Sequence, residues 1–96
     1  MTIGEAVGDG RQTVTTAGTA VRLASQTLCV CVNIVAETDN TGIICVGGST
    51  VVAALATRRG TPLAAGNSVS IEVRDLAAIW IDSTVDTDGV TFTFIN

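Results

Sequence analysis

The chain has no histidine, no lysine and no tyrosine, and a single proline, Pro62. Those absences remove the commonest general base, the Schiff-base amine and the phenolic proton donor, so enzyme readings start without their usual residues. Positive charge is scarce too. The five basic residues are all arginine (Arg11, Arg22, Arg58, Arg59, Arg74), against nine carboxylates, for a net charge of −4. A nucleic-acid partner is not expected, because no basic footprint is visible. A membrane partner is not expected either, because an acidic chain is repelled by an anionic lipid surface. Charged residues of both signs make up only 15% of the 96 residues and apolar ones 47%, which excludes disorder and leaves a surface a partner could cover. Glu5 and Asp9 interrupt the start, so no signal peptide is expected. The apolar run 43–56 is too short to span a bilayer and is broken by Gly47, Gly48, Ser49 and Thr50.

Cysteines number three, Cys29, Cys31 and Cys45, and an odd count argues against a disulfide framework. Alternation puts Cys29 and Cys31 on one face of a strand, about 7 Å apart and too far for an easy bridge. All three read as reduced, buried thiols of a protein made inside a cell. Three cysteines without histidine cannot complete a structural zinc site within one chain. Gly47-Gly48-Ser49-Thr50 lacks the lysine of a phosphate loop and reads as a turn. Asp82, Asp86 and Asp88 could offer oxygens to calcium, but the run is shorter than a calcium loop and lacks its terminal glutamate. Asp and Asn are ordinary turn residues, so no cofactor and no metal are expected.

What is abundant is Val, Ile and Thr, which suit a pleated surface, and ten glycines that punctuate the chain. This predicts one all-β domain, a small antiparallel β-sandwich of jelly-roll or immunoglobulin-like type with seven to eight short strands. Residues 1–11, glycine-rich and without clear periodicity, read as a flexible N-terminal arm, or a strand ordered by a partner, and 12–96 as the sandwich. Residues 29–36 read as a central strand with Val30, Val32, Ile34 and Ala36 on one face, paired in a hairpin with 43–46. Residues 49–56 fit either a strand or one helical turn. Val69, Ile71 and Val73 point inward on 68–74; Val90, Phe92 and Phe94 do so on 90–95, with Thr91 and Thr93 outward. Trp80 lies opposite Ile79 and Ile81: either an exposed interface anchor, or a side chain covered within the same chain.

The run Thr15-Thr16-Ala17-Gly18-Thr19-Ala20-Val21-Arg22-Leu23 is followed by Val32-Asn33-Ile34-Val35-Ala36 and by Asn40-Thr41-Gly42-Ile43-Ile44-Cys45-Val46-Gly47. Thr61-Pro62-Leu63-Ala64-Ala65-Gly66-Asn67-Ser68-Val69 and Asp75-Leu76-Ala77-Ala78-Ile79-Trp80-Ile81-Asp82 complete the series. Over residues 12–96 this order resembles a small β-sandwich module of structural proteins of tailed bacteriophages, found as head decoration (cement) proteins and in tails and fibres. Cys45 departs from it, standing where many such modules carry an aromatic. The resemblance implies no catalytic residues. It implies a virion structural protein, made in the host bacterial cytoplasm and placed on the outer capsid surface. Its partners would be the major capsid protein and further copies of itself, a trimer being favoured. A tail, baseplate or fibre component, or a glycan-binding head appendage, is the alternative. Partner contacts are expected from Thr2, Ile3, Glu5, Val7 and Arg11 of the arm, from Arg58 and Arg59, and from Trp80. Deleting residues 1–11 is expected to leave the fold intact.

Overall fold

The computed structural model describes residues 6–96. It is an antiparallel β-sandwich of eight strands: β1 (Val7–Thr13), β2 (Val21–Arg22), β3 (Cys31–Ala36), β4 (Ile44–Gly47), β5 (Thr61–Leu63), β6 (Ser68–Glu72), β7 (Trp80–Ser83) and β8 (Gly89–Ile95). One sheet runs β1-β8-β3-β6 and the other β2-β7-β4-β5, with every ladder antiparallel. Among the described residues the helical pieces are two 3-10 turns, Leu55–Thr57 and Leu76–Ala78. Asp75 caps the second, its carboxylate accepting from Ala77 N and from Thr27 N.

Side-chain alternation places the core between the sheets. Val32, Ile34 and Ala36 of β3 and Val90 and Phe92 of β8 face Ile44 and Val46 of β4 and Ile81 of β7. Val14, Leu23, Leu63, Leu76 and Ile79 close the rim. Each large aliphatic here contributes about 1.5–3 kcal/mol by leaving water. Val69, Ile71, Val73 and Phe94 pack against this core from partly buried positions, and Thr91 and Thr93 are exposed, as the alternation predicts.

Four expectations are corrected. Residues 7–11 are not an arm. They belong to β1, in register with β8 from Val7↔Ile95 to Thr13↔Gly89. Their glycines are there for contact: a Cβ on Gly8 would sit 2.2 Å from the Phe94 ring and one on Gly10 2.4 Å from the Phe92 ring. The rings lie over the bare backbone of the neighbouring strand and use space that a side chain would fill. Deleting residues 1–11 would therefore strip a strand from the sheet and a cover from both phenylalanines.

Strands β3 and β4 do not form a hairpin, because β3 lies in one sheet and β4 in the other, and the 37–43 loop crosses between them. Alternation also slips at Val30. Cys29 packs against the core while Val30 turns outward, so Cys29 and Cys31 do not share a face. Finally, Cys29 and Cys31 are only partly buried, and Cys45 alone is fully so.

The two sheets differ on their outer sides. The segment 48–60 folds back over β4 and β7, where Val51 and Ala53 bury Cys45 and contact Trp80, Ala20 and Ile43 in a second small core. No strand forms over 49–56; a single bridge, Val52↔Arg59, and the one 3-10 turn Leu55–Thr57 at its end shape it. The outer side of the β1-β8-β3-β6 sheet has no comparable second core among the described residues.

Candidate interaction surface

The open sheet face is built by every second residue of four strands in register. One row across it is Asp9, Thr93, Asn33 and Ser70; the next is Arg11, Thr91, Val35 and Ser68. Strands about 4.8 Å apart make such a face some 15 Å wide. Its side chains are short and mostly uncharged, with Ser70 Oγ donating to Asn33 Oδ1 at 3.0 Å. The third row is Val7, Ile95, Cys31 and Glu72, apolar on its first three strands and charged on β6. Val7 (73% exposed) stands opposite Ile95 (38%), with Cys31 next across the sheet. Val30, whose N–H bonds Ile95 O, extends that apolar end. Short side chains have little rotamer freedom to lose, which lowers one cost of contact with another protein.

Asp75, Asp82, Asp86 and Asp88 accept backbone N–H groups. Asp82, almost fully buried, accepts Gly18 N at 3.0 Å on Oδ1 and Ala53 N at 2.9 Å on Oδ2. Asp88, also buried, accepts Thr41 N (3.2 Å) and Gly42 N (2.7 Å). Asp86, exposed, accepts Ala17 N at 2.8 Å. Asp82 and Asp86 thus both fasten the loop at 17–18, Asp82 also holds the covering segment at Ala53, and Asp88 holds the loop at 41–42. Among the described residues no three His, Cys, Asp or Glu side chains converge as a metal site would need. The two backbone bonds to Asp75 hold its carboxyl below the usual range, Ala77 N first and Thr27 N second.

The thiols are similarly occupied. Cys29 Sγ donates to Val73 O at 3.1 Å. Burial, with smaller contributions from Asp75 and Cys31, pushes that thiol up. Burial raises the Cys45 thiol as well, against a partial opposing pull from Arg58. A raised thiol holds less thiolate at neutral pH, the opposite of an activated nucleophile. Shallow depressions on the described surface include one of about 430 Å³ beside Cys29, Val30 and Arg74 and another of about 420 Å³ beside Glu37, Thr38 and Thr91.

Residues expected to contact a partner do not form one patch. Thr2, Ile3 and Glu5 lie outside the described residues. Val7 and Arg11 project from the open face along β1, where Arg11 Nε donates to Glu37 Oε1 at 3.0 Å. That bond, then the charge on Glu37, raises the guanidinium pKa further. Arg58 and Trp80 belong to the other sheet's covered side. Arg58 Nε donates to Ala53 O at 2.9 Å and so helps hold the covering segment. Arg59 is exposed, and its backbone makes both bonds of the bridge to Val52. Trp80 is half-buried, with the Arg22 guanidinium 5.3 Å from its ring centre. Trp80 is thus covered in part by its own chain, through Val51 and Ala53. The open face itself was not singled out from the sequence, although Thr91, Thr93, Ser68 and Ser70 already signalled it by their outward alternation.

No family model, curated protein or solved structure matches this chain.

Proposed function

We propose that this chain is a virion structural protein, a capsid decoration protein that docks on the major capsid protein at the outer surface of the head and stabilises it. The observation that carries this reading is the asymmetry of the sandwich: one sheet is covered by 48–60, and the other offers a broad face whose two central strands carry no charge, with Asp9, Arg11 and Glu72 on its edge strands. The resemblance of residues 12–96 to phage structural modules supplies the kind of partner. Clamping is the mechanism. Area shared across neighbouring capsid subunits must be re-exposed when they separate, so each bound copy adds to the work of opening the shell. The protein acts by binding and not by catalysis, and Asp75, Asp82, Asp86, Asp88, Cys29 and Cys45 serve its own loops and core. Virions labelled with an antibody to this chain and imaged by electron microscopy test the assignment. Label over the head is expected. Label confined to the tail would replace it with a tail or baseplate role, and unlabelled virions would end it.

A further inference from the structure

We propose that two copies of this chain join edge to edge through β1, antiparallel about a twofold axis at Gly10, so that Asp9 of each copy faces Arg11 of the other. The inference concerns self-association and stands apart from the protein's place on a virion.

The four sheet edges are unequal. On the second sheet, β2 is two residues long and β5 carries Pro62, which cannot donate. On the first sheet β6 has five residues and β1 has seven, without proline. An exposed, regular edge is a template for another strand.

The direction of the free groups follows from the ladder. Ala6 and Asn96 exchange both backbone bonds, at 3.1 and 3.0 Å, and Val14 N bonds Asp88 O at 2.9 Å. Bonded pairs recur every second residue in an antiparallel ladder, so Gly8, Gly10 and Gln12 aim their N–H and C=O at β8. Val7, Asp9, Arg11 and Thr13 aim theirs away from the sheet. Thr13 N is taken by Gln12 Oε1 at 3.0 Å. Among the described residues, nothing bonds the outward backbone groups of Val7, Asp9 or Arg11.

Charge selects the register. Centring the axis on Asp9 sets that carboxylate against its own copy, and centring it on Arg11 opposes two guanidinium groups. Only the axis at Gly10 puts opposite charges across both contacts. Arg11 uses Nε for Glu37, which leaves both terminal nitrogens for the Asp9 carboxylate of the second copy. Outward Val7 then falls opposite Thr13, and Gly10 meets Gly10 with no side chain between. The result is one eight-stranded sheet whose two open faces are continuous. A twofold contact yields a dimer and replaces the trimer that the resemblance implies.

Sedimentation velocity of the full chain tests this. Wild type is expected to sediment as a dimer of the 9.7 kDa chain at about 100 µM and to dissociate on dilution, since a single strand pair is a small interface. Asp9→Arg opposes arginines at both contacts and Arg11→Asp opposes aspartates. Each alone is expected to weaken the dimer by about tenfold or more. Mixed one to one, the two variants restore complementarity and are expected to form heterodimers as stable as wild type to within about threefold. The amides of Val7, Asp9 and Arg11 are expected to gain hydrogen-exchange protection as concentration rises. A wild-type monomer or trimer at that concentration would overturn the proposal, as would a mixture that stays monomeric. Should Arg11→Asp fail to fold, Asp9→Arg and the amide protection decide it: a dimer insensitive to that charge, or edge amides unprotected in it, refutes the register.

Discussion

Replacing Asp82 with alanine removes one carboxylate and releases two loops. Its Oδ1 holds Gly18 N and its Oδ2 holds Ala53 N, both within 3.0 Å, and the side chain is 1% exposed. The two losses differ in size. Gly18 N keeps a second acceptor, Ser83 O at 3.3 Å, so part of that bond survives. Ala53 N is left inside the second core beside Cys45 and Val51 with no acceptor. A bond to a charged acceptor contributes about 1.5–3 kcal/mol, and a stranded buried donor costs about 1–3 kcal/mol, so Asp82→Ala should lose about 3 kcal/mol. For a domain of this length that lowers Tm by about 15 °C. Asp82→Asn keeps one acceptor oxygen and turns an amide N–H toward the other donor, and should lose about 2 kcal/mol. Urea titration followed by Trp80 fluorescence reads both, because the single tryptophan contacts the same small core. Asp86→Ala is the internal comparison. It breaks one exposed bond, to Ala17 N, and should lose under about 1 kcal/mol. Losses at Asp82 and Asp86 that are equal, or a loss under about 0.5 kcal/mol at Asp82, would refute the view that these acids hold the loops together.

Gly10→Ala drives a Cβ into the Phe92 ring at 2.4 Å, so it should destabilise by about 1–3 kcal/mol in thermal unfolding, where an ordinary strand glycine would gain from the change. Deleting residues 1–11 should cost far more than deleting 1–5, because only the longer cut removes β1; circular dichroism melts of the two truncations make the comparison. The folded-state pKa of Asp75 lies below its unfolded value, so its contribution to stability is complete above about pH 4 and is lost as pH falls through the depressed folded value. Asp75→Asn should therefore flatten the acid limb of the stability curve below pH 4, measured by urea titration at a series of pH values.

Much of the sandwich is visible in local alternation. Residues 68–74 and 90–94 carry their faces openly, since hydrophobic and polar side chains alternate and one face meets the core. The opposition of Trp80 to Ile79 and Ile81 is legible for the same reason. Other features depend on contacts distant in sequence. Gly8 and Gly10 look like a linker until Phe94 and Phe92, over eighty residues away, are known to lie on them. Residues 29–36 read as one uninterrupted strand, but the bridge Leu28↔Asp75 and the bond from Cys29 N to Arg74 O turn the chain before β3, and the alternation slips there. Asp82 and Asp88 fit turns by composition, and nothing local shows that their acceptors serve residues 18, 41, 42 and 53. Proximity of 37–43 to both neighbouring strands suggested a hairpin. The choice between hairpin and crossover is settled by which sheet buries each apolar face, a property of the whole chain.

Binding of the purified chain to phage heads that lack it tests the central claim most directly, namely that the uncovered sheet is the docking face. Wild type should saturate the heads. Thr93→Arg, in the middle of that face, should abolish binding while its melting temperature stays within a few degrees, and Leu55→Arg, at 79% exposure on the covering segment of the other sheet, should bind like wild type. Undiminished binding by Thr93→Arg, or loss of binding by Leu55→Arg alone, would contradict the account.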